Sequence, residues 1–177
     1  MWSFPLPSGD WARQEAPFGL AGLASTQVVV EYNGNVSAPM AVPVTNTMPG
    51  VFSMDGTGSG QGAIQNADGS LNGAGNPAAA GSIMVLYLEG LGVLNPAQGD
   101  GSVVPVSEPW PTLQYPVTVS VGGQPCQIVY QGPAPLSVAG MYQVNCVISP
   151  ATSSGAAAVV VTSDRRQSQP NLTVAVR

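Results

Sequence analysis

The chain has 177 residues, 44% of them hydrophobic, enough to fill a buried core in one large domain or two small ones. Only 7% are charged, the net charge is −5, and the four basic residues, Arg13, Arg165, Arg166 and Arg177, are joined by no lysine. Nucleic acid and anionic membrane surfaces are therefore poor partners, since phosphates need several cations on one face; the lack of histidine removes the usual base for serine and cysteine nucleophiles.

With 22 glycines and 17 prolines, the composition favours short strands and turns over long helices. Apolar residues recur at period two or in short solid runs, and none of these runs reaches the length of a membrane span. The sequence therefore predicts an all-β chain. At the start, "MWSFPLP" alternates Trp2, Phe4 and Leu6 with Ser3 and Pro5, giving an extended segment one apolar face, and Pro keeps it out of a helix. Next, "VVVEYNGNVSAP" followed by Val42 and Val44 reads as strand, polar turn, strand.

The Gly-rich stretch from Gly56 to Gly81 lacks the Lys-Ser/Thr ending and following helix of a phosphate loop. Its Asp55, Thr57, Ser59 and Gln61 alternate with glycine as a calcium loop would, but only Asp68 adds a second carboxylate. The reading adopted is a connector, "FSMDGTGSG", and a hairpin turning at Asp68-Gly69. Beyond it, "GSIMVLYLEG" is a solid apolar run bounded by glycines, as a central strand of a sandwich should be. Trp110, in "EPWPTLQYP", either packs on a sandwich edge or stacks on a sugar.

"PVTVSVGGQPCQIVYQG" is a hairpin with Val117, Val119 and Val121 on one face and Cys126, Ile128 and Tyr130 on the face of the returning strand. Tyr142, Val144, Cys146 and Ile148 share a face in the next strand. The last two strands, around Ala157 to Thr162 and Asn171 to Val176, flank "SDRRQSQ". Cys126 and Cys146 are either buried thiols or one disulfide, and two thiolates without histidine are too few for a metal site. The nine carboxylates are scattered, mostly in turns, and no catalytic, cofactor or metal residue is predicted.

Sliding the chain by 131 positions lays Val28 to Pro39 over Val159 to Pro170, a repeat at the scale of a domain. The second copy has at least three predicted strands ahead of it; the first has only residues 1 to about 16. An isolated hairpin cannot bury a face or satisfy its edges, so the first copy reads as an incomplete module whose strands find partners elsewhere.

The segments "GSIMVLYLEGLG", "VSVGGQPCQIVY", "YQVNCVISP" and "AAAVVVTSDRRQSQPNLTVAV" together resemble an IPT/TIG domain, an early-set immunoglobulin-like β-sandwich. Residues from about Ala16 onward are also similar to a C-terminal module of large secreted acidobacterial proteins, in "APFGLAG", "VEYNG" and "NPAAAGS". The resemblance implies an extracellular or cell-surface setting, a bridge between Cys126 and Cys146, and no known catalytic residue. The expected organisation is an extended segment plus incomplete immunoglobulin-like module over 1–50, a Gly-rich joint and hairpin over 51–77, and a complete sandwich over 78–177. The expected function is that of a non-enzymatic, self-assembling structural subunit without cofactor. Its subunit contacts would include Trp2, Phe4, Leu6, Val28 and Val30, and its partner would be itself or neighbouring domains of a longer secreted chain. The alternative is an adhesion or carbohydrate-binding module that uses Trp110.

Overall fold

Alternation of apolar and polar side chains is realised as strands throughout, and among the described residues the helical content is one 3-10 turn, Phe18–Leu20. The computed structural model describes residues 16–177 and, ahead of them, the backbone of two short strands, β1 (Trp2–Pro5) and β2 (Trp11–Gln14), paired antiparallel. The side chains of Trp2, Phe4 and Leu6 lie outside the described residues. A ribbon follows, made of β3 (Ser25–Val28), β4 (Glu31–Tyr32), β5 (Asn35–Val36) and β6 (Met40–Pro43). The Gly-rich stretch supplies β7 (Gly50–Val51), β8 (Gly60–Gln61) and β9 (Ile64–Asn66). Then come β10 (Ile83–Glu89), β11 (Leu94–Asn95), β12 (Thr112–Leu113), β13 (Val117–Val121), β14 (Gln124–Pro125), β15 (Gln127–Pro133) and β16 (Tyr142–Val147). The chain closes with β17 (Gly155–Ser163), β18 (Arg166–Gln167) and β19 (Leu172–Val176).

Two sheets enclose one core. In the first the order is β15-β16-β10, with β7 and β9 both pairing on the far edge of β10; in the second it is β14-β13-β17-β19-β8, with β18 on β17. Met84, Leu86 and Leu88 of β10 and Tyr142, Val144 and Cys146 of β16 point into the space between the sheets. From the other side come Val117, Val119 and Val121, then Val159 and Val161, then Leu172, Val174 and Val176. Every one of these is buried, as the period of two requires when one face of each sheet meets the other. The apolar run of β10 is flanked on both edges, so it occupies the central position its composition predicts.

The Gly-rich stretch is more than a joint. β7 and β9 extend the first sheet, and β8 lies parallel to β19 in the second. The chain reverses through Ala67, Asp68 and Gly69, with Gly69 N–H donating to Asn66 O at 2.9 Å. Pieces this short have few ladder bonds, and amide side chains substitute for them. Asn72 donates to Ala175 O at 2.9 Å and accepts from Ala175 N–H at 2.8 Å, as a neighbouring strand would. Gln169 does the same for Val51, accepting its N–H at 3.1 Å and donating to its carbonyl. The sandwich therefore begins near Gly50 and not at residue 78, and the expected boundary moves with it.

The cysteines are a second correction. Cys126 and Cys146 are free thiols 3.7 Å apart, well beyond the roughly 2.05 Å of a disulfide bond. Cys126 N–H still bonds Val119 O of the second sheet at 2.8 Å, and only from Gln127 does the chain pair with β16 of the first. Cys126 thus sits at the crossing between sheets, half-buried, while Cys146 is fully enclosed. The two meet as a hydrogen-bonded thiol pair: the Cys146 contact lowers the Cys126 pKa, and the same contact together with burial raises that of Cys146.

Candidate functional site: two ribbons, one uncovered

The repeat seen in the sequence is a repeat of structure. In the first copy the turn residues Asn33 and Gly34 both have positive φ, 49° and 75°; in the second Asp164 and Arg165 do, at 42° and 63°. Two consecutive left-handed residues make the tight hairpin turn whose twist matches that of paired strands. Tyr32 faces Asn35 as Ser163 faces Arg166, and Glu31 faces Val36 as Thr162 faces Gln167. One step further from the tip, Val30 N–H donates to Ser37 Oγ at 3.0 Å, and Val161 N–H to Ser168 Oγ at 3.1 Å. Beyond these serines one extra residue in the second copy raises the offset from 131 to 132, so Val28↔Met40 corresponds to the facing positions Val159 and Leu172.

The surroundings of the two ribbons differ. In the second, β13 covers the edge of β17 and β8 covers that of β19. Among the described residues β3 and β6 pair only with each other. Met40 is 57% exposed where Leu172 is 0%, and Tyr32 is 48% exposed where Ser163 is 1%. Val28 and Val30, expected as subunit contacts, are half-buried, whereas Val159 and Val161 are fully buried. The first ribbon thus carries an apolar face of the same kind as the second without the cover.

Its base is clasped to the tip of its twin. Asn46 Nδ2 donates to Asp164 Oδ2 and Thr47 Oγ1 to Ser163 O, both at 2.8 Å; apart from the tip, Phe18 N–H donates to Asp100 Oδ1, in the loop between β11 and β12, at 2.6 Å. The clasp needs glycine opposite it: a Cβ on Gly90, at φ 75°, would lie 2.0 Å from Met48 O, and one on Gly92 2.4 Å from Asn46 O. Asn46 and Thr47 carry no sequence signal for this role; a tip-to-base contact 118 residues apart has no local pattern.

Trp110 is placed on the edge strand β15. Its ring meets Tyr130 edge-to-face, centroids 5.7 Å apart at 81°, and its Nε1–H donates to Pro105 O at 3.0 Å. Burial, then the Glu108 carboxylate, raises the Tyr130 pKa, and its hydroxyl donates to Pro133 O at 2.7 Å. Both rings are held by packing and internal hydrogen bonds. Nearby, loops 102–106 and 134–139 pair through Val104 N–H to Ser137 O and Leu136 N–H to Val104 O, and present Val103, Val106, Leu136 and Val138 to solvent. Sequence reasoning did not single out this apolar patch, because its residues fall in irregular loops.

Asp55 Oδ1 accepts from Ser53 Oγ, Thr57 N–H and Thr57 Oγ1, and Asp68 Oδ1 from both donors of Ser70. These bonds lower both carboxyl pKa values and account for the turns without a ligand. Among the described residues no group of three His, Cys, Asp or Glu gathers as metal ligands, and no helix is long and apolar enough to cross a membrane. The fold and site together define an all-β sandwich protein carrying a duplicated ribbon. No family model, curated protein or solved structure matches the chain.

Proposed function

We propose that the chain is a non-enzymatic structural subunit, built on immunoglobulin-like sandwiches of the IPT/TIG kind, that self-assembles by lending β-strands from one copy to the next at the cell surface or outside the cell. The observation carrying this reading is the pair of ribbons. They share turn, register and serine cross-link, yet one is covered on both edges and the other, among the described residues, on neither. An unpaired ribbon with one apolar face is at best marginally stable in water, so its persistence calls for a partner. The alternating Trp2, Phe4 and Leu6 supply the donor pattern in sequence.

Strand lending from one copy to the next is a head-to-tail relation, and such contacts generate open filaments when the rotation between units does not close. With only 7% of its residues charged, the chain adds little repulsion between copies. Light scattering after size exclusion at two protein concentrations tests the proposal. Mass should rise with concentration, and electron micrographs should show filaments. A single monomer mass across a hundredfold range would refute it.

A further inference from the structure

The covered ribbon shows what the uncovered one lacks. On β17 the strand β13 lies antiparallel with Val117 opposite Ser163, Val119 opposite Val161 and Val121 opposite Val159. By the offset between copies, those three seats in the first ribbon are Tyr32, Val30 and Val28. Backbone polarity agrees. Val30 exchanges bonds with Ser37 inside the ribbon, through its carbonyl with Ser37 N–H at 2.9 Å and its N–H with Ser37 Oγ at 3.0 Å. Because successive residues of a strand point their N–H and C=O to opposite edges, Val29 and Glu31 direct theirs outward. Val160 and Thr162, at the corresponding positions, face Ser120 and Thr118 of β13.

We infer, resting on the assembly reading above, that the outer edge from Val28 to Tyr32 is the seat for one antiparallel strand of a second copy, with apolar side chains at three alternate positions over Val28, Val30 and Tyr32. The chemistry of the occupant follows from Val117, Val119 and Val121, which fill the equivalent seat beside Ser163, Val161 and Val159. Charge favours a second copy as its source. Glu31 is the one charged residue between positions 16 and 45, whereas Arg165 and Arg166 give the twin ribbon tip a net positive charge beside Asp164. Arg165 and Arg166 are exposed, so a second copy can set these basic side chains against the ribbon's Glu31. The occupant adds ladder bonds at Val29 and Glu31 and sets its apolar side chains beside Val28, Val30 and Tyr32.

The test uses the full chain. Val29→Pro removes an outward N–H and leaves the ribbon's internal bonds in place, the substitution by which natural sheets block edge pairing. Leu71→Ser, at an exposed apolar site away from the ribbon, is the control. Val29→Pro should weaken association at least tenfold in light scattering, with the sandwich's thermal unfolding unchanged, while Leu71→Ser assembles as the parent does. Amide exchange on the parent chain gives a second reading: Val29 and Glu31 should become protected on assembly. Assembly of Val29→Pro at parental strength, with Val29 and Glu31 exchanging freely in the assembled chain, overturns the inference and leaves the assembly reading standing. A parent chain that stays monomeric overturns both, as does capture of the ribbon edge by a different protein alone.

Discussion

Asn72 is the best place to test whether amide side chains act as strand neighbours. The residue is buried, and its amide bonds four groups: Ala175 N–H at 2.8 Å, Ala175 O at 2.9 Å, Asn66 Oδ1 at 2.9 Å and Gln61 Nε2 at 3.1 Å. In Asn72→Ala, Ala175 O keeps a second donor, Ala78 N–H at 2.9 Å, and half-buried Gln61 keeps Gly62 O. Ala175 N–H and Asn66 Oδ1 lose the partner on which each depends in this network. Leaving a buried polar group unsatisfied costs about 1–3 kcal/mol, so two of them predict a loss of about 2–6 kcal/mol. Equilibrium unfolding in urea measures it, with β19 detaching from the Gly-rich segment as the local event. Asn76→Ala is the control, because its side chain is exposed, and should cost less than about 1 kcal/mol. If the two variants unfold at the same urea concentration, the amide network is ornamental and the reasoning fails.

Other outcomes follow from single contacts. Gly90→Ala puts a Cβ against Met48 O at a left-handed φ, so it should cost about 3 kcal/mol and deprotect the Met48 amide, which bonds Gly90 O at 2.8 Å, in hydrogen exchange. Thr152 Oγ1 is buried and has no hydrogen-bond partner among the described residues; Thr152→Val keeps its shape and should raise stability by about 1 kcal/mol in thermal unfolding. A thiol reagent at neutral pH should modify Cys126 first, because its pKa is lowered and it is half-buried, and reach Cys146 only on unfolding; equal rates would contradict the geometry. Asp55 and Asp68 have depressed folded-state pKa values. Their turns are therefore held above the ordinary carboxylate range and loosen as pH falls below about 4, measurable as faster exchange at Thr57 and Ser70.

The parts of the fold that were legible in the sequence are those whose strands are long enough to alternate. Tyr142, Val144, Cys146 and Ile148 state their inward face unaided, as do Val117, Val119 and Val121, and all of them are buried. The repeat was legible because its information is local: two turn residues, two flanking pairs and a serine. What escaped was set by contacts with no local period. β7, β8 and β9 hold two or three residues each, and their partners lie as far away as Thr173 and Leu172. Composition there reports flexibility, while buried asparagines provide the order. The cysteines show the same limit. Their strands were identified, but whether two sulfurs on facing strands reach bonding distance depends on where the chain crosses between sheets, and at Cys126 it crosses. The same reasoning explains why the first ribbon is the informative element. Everything that specifies its hairpin is local and present, and everything that would cover it is non-local. The hairpin's turn and register are specified by its own residues, while nothing local buries Met40 or Tyr32, so what finally covers them has to be read from contacts and not from sequence pattern.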